Sequence, residues 1–304
     1  MVIYSSGTNF FRTKAVGFLN VNANWEVNMT RVSSTNVGSI KVSSFLDGEL
    51  VLPAEVLINL KDDDAETIKE NAENTLSYTN VNAYLIQKGD RNLLIDAGCR
   101  ELFGPTCGFI QEALNEAGVS TDQVTDVFCT HLHPDHIAGA LNTDGTAVFS
   151  NALLHLVDTE HDFWMNGSFD AVDVNGSDWA GLAQAVVSAY SDRLNLVSQG
   201  KDIMSGVNTV AIPGHTPGHS GFRVDDGNDS LMHLGDIIHF QNLQLIDPNV
   251  STVFDVDCHT ALASRKKVLD MVSADNILCT SGHWLSPKFA HIEHYGSGYA
   301  ASKA

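Results

Sequence analysis

Between residues 130 and 136 the chain reads Thr130-His131-Leu132-His133-Pro134-Asp135-His136, which places three imidazoles and a carboxylate within six residues. Such a cluster is costly in a core unless it has a chemical use. Imidazole suits Zn²⁺, Fe²⁺ or Co²⁺, and a carboxylate completes a hard-to-borderline metal site. His131 and His133, two apart in an extended turn, can point the same way to one cation. Asp135 and His136 lie one turn onward and can reach a second. Two ligands do not close a site, and the chain offers further donors: His215 in Pro213-Gly214-His215-Thr216-Pro217-Gly218-His219, Asp236 in Leu234-Gly235-Asp236, and His283 in Ser281-Gly282-His283-Trp284. No Gly-x-Ser-x-Gly segment is present, so no serine nucleophile is expected.

Each of these donors follows an apolar run that reads as a strand. Val124–Cys129 leads into His131, 207–212 into His215, Leu231–Leu234 into Asp236, and 276–279 into His283. Other strands are read at 39–45, Val81–Gln87, Leu93–Ile95, 147–149, Leu153–Val157 and 221–224. Asp47-Gly48 is read as a turn into a second strand, 49–53, and Lys88–Asn92 as a hairpin turn. Helices are expected over 62–74, 109–117, 179–195 and 260–272 from their apolar spacing or exposed charge. Strands at both ends of each half, with helices between, imply an α/β fold of two packed mixed sheets with helices outside, an αβ/βα sandwich. Residues 38–304 are expected to form one domain. Residues 1–37, rich in Asn, Ser and Thr at their start, should form an irregular arm with one strand.

The order HxHxDH, GHTPGH, GD and GH resembles the metallo-β-lactamase superfamily. That resemblance implies a dinuclear centre in which His131, His133 and His215 bind one metal, Asp135, His136 and His283 the other, and Asp236 bridges both. It implies two divalent ions per chain, zinc first, with Fe²⁺, Mn²⁺ or Co²⁺ as alternatives. Asp96, in Leu94-Ile95-Asp96-Ala97-Gly98, resembles the family's aspartate beneath the site, and Thr216 and His219 flank His215, so all three are expected to orient ligands. Two such cations, about 3.5–4 Å apart, can share a water and bring its pKa near neutrality, giving a hydroxide for attack on a carbonyl or phosphoryl centre. Asp236 or Asp135 would then carry the proton onward, Asp236 being preferred.

From about Gly38 to Tyr299 the chain is similar to the methyl parathion hydrolase and lactonase-like branch. The matching stretches include Phe45-Leu46-Asp47-Gly48, Leu102-Phe103-Gly104-Pro105-Thr106, Asp162-Phe163-Trp164, Asp247-Pro248 and Ser264-Arg265-Lys266-Lys267. Members hydrolyse lactones, aryl esters or organophosphate triesters and are commonly homodimers. His239, three residues after Asp236, departs from the branch: well-studied lactonases carry a tyrosine there and methyl parathion hydrolase an apolar residue. A histidine can donate to a lactone oxygen, which favours a lactonase or esterase over a phosphotriesterase. Phe103, Phe163, Trp164 and Trp284 are expected to wall an apolar pocket for a small, neutral, apolar-tailed ester or lactone. A non-catalytic binding or sensing member would be marked by lost ligands, and none is lost.

With 37 acidic against 17 basic residues the formal net charge is −20. Such a chain repels phosphate backbones and anionic membrane faces, which argues against nucleic-acid and membrane partners. Five cysteines without C-x-x-C spacing read as reduced, mostly buried thiols. No basic, then apolar, leader is read at the start, and a cytoplasmic location is expected.

Overall fold

The computed structural model describes residues 30–70, 76, 78–166, 178–286 and 288–303. Two seven-stranded mixed sheets lie face to face. The first runs, in spatial order, Val32–Val37, Ile40–Val51, Tyr78–Lys88, Arg91–Ile95, Asp126–Phe128, Leu153–Val157 and Leu194–Val197. The second runs Gly298–Lys303, Ala290–Tyr295, Leu278–Thr280, Asp229–His233, Ser220–Asp226, Val207–Ala211 and Asp202–Met204. A small pair, Leu57–Ile58 with Ser251–Thr252, joins the connections at one end.

Side-chain alternation explains the layering. Val81 to Ile86 is buried throughout, because the strand that contains it has a core on each face. Tyr84 and Ile86 join Leu93, Ile95 and Phe128 against Phe222, Val224 and Leu231 of the facing sheet. Ala83 and Leu85 point the other way, to the helices Ile110–Glu116 and Trp179–Ala189. A third core packs helix Cys258–Ala274 on the outer face of the second sheet. The pairings between Arg91–Ile95 and Leu194–Val197 are all parallel, and covering both faces of such a run is the usual requirement.

Several boundaries differ from expectation. Asp47-Gly48 makes no hairpin; Ile40–Val51 is one strand whose register shifts between Leu46 and Gly48. The extra residue, Asp47, turns inward, where its carboxylate accepts the N–H groups of Cys99, Gly108 and Ile110. The helix expected over 179–195 ends at Ala189, and Leu194–Val197 becomes an edge strand. Residues 147–149 contribute only the isolated bridge Leu141–Ala147. Within the expected arm, Val32–Val37 pairs with Ile40–Phe45 and so belongs to the first sheet, while residues 1–29 lie outside the described residues. The hairpin Ala290–Tyr295 and Gly298–Lys303 was not legible in its short, polar strands.

Candidate metal centre

The loops after Asp126–Phe128, Val207–Ala211, Asp229–His233 and Leu278–Thr280 converge on one rim. A single helical turn, Pro134–Ile137, follows His133 and swings Asp135 and His136 inward. Donor atoms of His131, His133 and His215 form one close group, and those of Asp135, His136, Asp236 and His283 another, each within 4.8 Å. Asp236 joins them. Its Oδ2 lies 3.0 Å from His136 Nε2 and 2.9 Å from His283 Nε2, yet also 3.7 Å from His131 Nε2 and 3.6 Å from His215 Nε2. Gly282 permits this crowding: a Cβ there would sit 2.6 Å from Asp236 Oδ1.

The polar inventory fits cations at this place. Nε2 of His131, His133 and His215 and Oδ1 of Asp236 are buried with no hydrogen-bond partner. Buried polar atoms ordinarily find one, and mutually facing imidazoles and a carboxylate are satisfied together by a divalent ion. Burial, reinforced by neighbouring rings, depresses the pKa of His131, His133 and His215, which keeps them in the neutral form that ligates. Burial opposes charge on Asp236, but His136, His283 and His131 outweigh it and hold the carboxyl well below its usual range.

Four of the five imidazoles in the two donor groups are aimed by a second partner, as ligating histidines generally are; for His131 it is the Thr130 hydroxyl, 3.1 Å from Nδ1. His136 Nδ1 meets Asp96 Oδ2 at 2.8 Å, and Asp96 also accepts the Thr130 N–H and hydroxyl. Asp96 holds φ +58°, a left-handed backbone rarely adopted by aspartate, to reach these groups. His283 Nδ1 lies 2.6 Å from the Asn80 carbonyl. His219 donates from Nδ1 to the Ile212 carbonyl at 2.9 Å, and its Nε2 accepts the Asp236 N–H at 2.9 Å. It therefore orients the aspartate, not His215. His215 is instead oriented by Asp255, whose Oδ1 is 2.9 Å from Nδ1. The Thr216 hydroxyl donates to Glu160 Oε2.

Asp255, Glu160 and the Asn80 carbonyl were missed by sequence reasoning. Nothing marks one acid among 37 as buried, and a carbonyl carries no sequence signal. The aromatic assignments also change. Trp164 is fully buried, edge-on to His133, with its indole N–H on Glu160 Oε1, and half-buried Phe163 packs against it. Trp284 is buried in the core beneath helix Cys258–Ala274. Phe103 packs on Leu50, Val81, Cys99 and Cys107. Trp284 and Phe103 thus pack into cores, while Trp164 meets the cluster edge-on at His133. Half-buried Trp179 and Phe254 also approach the cluster: Trp179 lies 4.9 Å from the His133 ring, Phe254 lies 6.1 Å from the His239 ring, and the two are 6.4 Å apart.

His239 lies at the cluster itself. Its Nε2 is 3.4 Å from Asp236 Oδ2, its ring stacks on His283 at 4.7 Å, and its Nδ1 is buried without a partner. Asp135 is the most open donor, its side chain 18% exposed against 2% for Asp236.

The sequence profile of the metallo-beta-lactamase superfamily matches residues 77–283, well over half of the chain, and the protein belongs to that superfamily. A comparison with curated proteins found no match. Among solved structures, the fold is similar to AidC, a dizinc quorum-quenching lactonase seen with the product N-hexanoyl-L-homoserine. The identity is 25% and the TM-score 0.81, over 90% of this chain and 97% of that one. AbOPH, a hydrolase of the beta-lactamase superfamily, aligns at 24% identity and TM-score 0.80, over 90% and 97% of the two chains. A quorum-quenching N-acyl homoserine lactone lactonase aligns at 18% identity and TM-score 0.60, over 84% and 100%. The chain is thus a metal-dependent hydrolase of the superfamily whose His/Asp cluster is suited to a pair of divalent metal ions. No helix among the described residues is long and apolar enough to cross a membrane.

Proposed function

We infer that the protein is a lactonase that opens the ring of a small, neutral lactone carrying an apolar acyl tail. The observation that carries this reading is the complete donor set around Asp236, with a sixth imidazole, His239, beside it. In this reading His131, His133 and His215 hold one cation, Asp135, His136 and His283 the other, and Asp236 both. Such a pair would supply Lewis acidity and a water of lowered pKa. Zinc is the ion proposed, and a homodimer the assembly.

The chain's own groups would do the rest. Asp236 fixes the spacing of the two donor sets. Asp135 takes a proton outward. His239 can donate a ring N–H to the ring or carbonyl oxygen as negative charge develops there, a contact worth most in the transition state. Trp179 and Phe254 offer apolar contact to an acyl tail.

A panel of N-acyl lactones, aryl esters and dialkyl aryl phosphates, assayed on zinc-loaded protein, tests this reading. Lactones should show the highest kcat/KM; preference for the phosphates would assign the site to phosphotriesters instead. His239→Leu should retain both metals and lower kcat more than it raises KM, by roughly ten- to a hundred-fold for a lost hydrogen bond of about 1.5–3 kcal/mol. Loss of a metal in this variant would make His239 a ligand, and an unchanged rate would make it a bystander.

A further inference from the structure

Glu160 is fully buried and belongs to neither donor group, yet both of its oxygens are saturated. Oε1 accepts the Leu132 N–H at 3.0 Å and the Trp164 indole N–H at 2.6 Å. Oε2 accepts the Thr216 hydroxyl at 2.5 Å and the Gly218 N–H at 3.1 Å. Leu132 lies between His131 and His133, and Thr216 follows His215 directly. One carboxylate therefore ties together the two loops that carry the three-histidine group. The backbones meet as closely: a Cβ at Gly218 would lie 2.2 Å from the Glu160 nitrogen.

The other donor group hangs on different supports. His136 is held directly by Asp96, which reaches the three-histidine group only through Thr130 and the His131 ring, and His283 by the Asn80 carbonyl; neither Asp96 nor Asn80 bonds Glu160. We propose that Glu160 is a positioning residue that sets the metal affinity of the His131–His133–His215 site selectively. The proposal rests on the two-cation reading above.

Donor chemistry shows why an amide cannot replace it. Three of the four donors are N–H groups, which cannot accept. Whichever way a glutamine is turned, its NH₂ faces at least one of them. The less costly orientation turns it toward Thr216 and Gly218, freeing the loop that carries His215. An unsatisfied buried donor and a loosened ligand loop then act in the same direction.

The test is competition of full-length protein with a chromophoric chelator for Zn²⁺, which yields two dissociation constants, alongside the melting temperature of the metal-free protein. Glu160→Gln should raise one constant by at least about tenfold and leave the other within about twofold, the range usual for residues that support ligands. Thr216→Val, which removes one donor at nearly constant volume, should move the same constant in the same direction and guards against misfolding of the first variant. Asp47→Asn is the control. It alters another buried carboxylate with several N–H donors and should lower stability without changing the ratio of the constants. Equal weakening of both sites, no change in either, or the same selectivity in Asp47→Asn would reduce Glu160 to general core support. A wild-type protein with a single affinity class would overturn the two-cation reading together with this proposal.

Discussion

Asp236→Ala is expected to lower hydrolysis by more than about a hundredfold, beyond the loss usual for residues that only support ligands. It is also expected to reduce bound zinc to about one equivalent or less. Asp236 Oδ2 has five imidazole nitrogens between 2.9 and 3.7 Å, from His131, His136, His215, His239 and His283. No other group among the described residues reaches both donor sets in this way, since Asp135 approaches only His136 and His283. Without Asp236, two adjacent cations would lose the carboxylate that lies between them, and their repulsion in a buried site is large. Elemental analysis and initial rates on the same preparation check this. Two retained equivalents with full activity would show that the carboxylate is not a bridge.

Asp255→Ala should produce the next largest loss, and in two currencies. Its carboxylate aims His215 through Nδ1 and lies 3.8 Å from the fully buried Arg265 guanidinium. Arg265 also donates to the carbonyls of Ile237, Pro248 and Val250, so its position is fixed. Removing the only carboxylate paired with it among the described residues strands a buried charge, at about 3–5 kcal/mol. Metal affinity at the His215 site should fall by roughly ten- to a hundred-fold as that ring loses its orientation. Asp255→Asn keeps an acceptor toward His215 and should restore most of the affinity while leaving the stability loss. Thermal unfolding of metal-free protein, with chelator competition, separates the two effects. Unaltered metal affinity in Asp255→Ala would show that His215 is held by its loop alone.

The two residues also mark how far sequence could be read. Asp236, like the six other expected donors, is legible because histidines and aspartates just past strand ends have few structural uses. The two packed sheets follow from apolar runs such as Leu93–Ile95 and 154–157, whose both-face burial leaves little choice of environment. Asp255 and Glu160 were not legible. Glu160 sits among Asp158, His161 and Asp162, which read together as the polar start of an exposed helix, and only tertiary packing turns it inward. Arg265 in Ser264-Arg265-Lys266-Lys267 reads as part of a basic surface run, yet Arg265 is buried and Lys266 is exposed. Asp47-Gly48 carries a strong turn signal, but pairing of Ile40–Val51 with Tyr78–Lys88, from Lys41 opposite Gln87 to Val51 opposite Tyr78, overrides it and leaves a bulge. The aromatics show a related ambiguity: Trp164 and Trp284 are fully buried, and size and apolarity place such residues in cores as readily as in pockets.

The most direct test of the central claim is the initial rate of N-acyl lactone opening as metal-free protein is titrated with zinc. With a binuclear centre, the rate should rise to a plateau at about two equivalents per chain, while a protein lacking Asp236 stays near the baseline. A plateau at about one equivalent would contradict the two-cation centre. No ring opening with both equivalents bound would contradict the lactonase assignment.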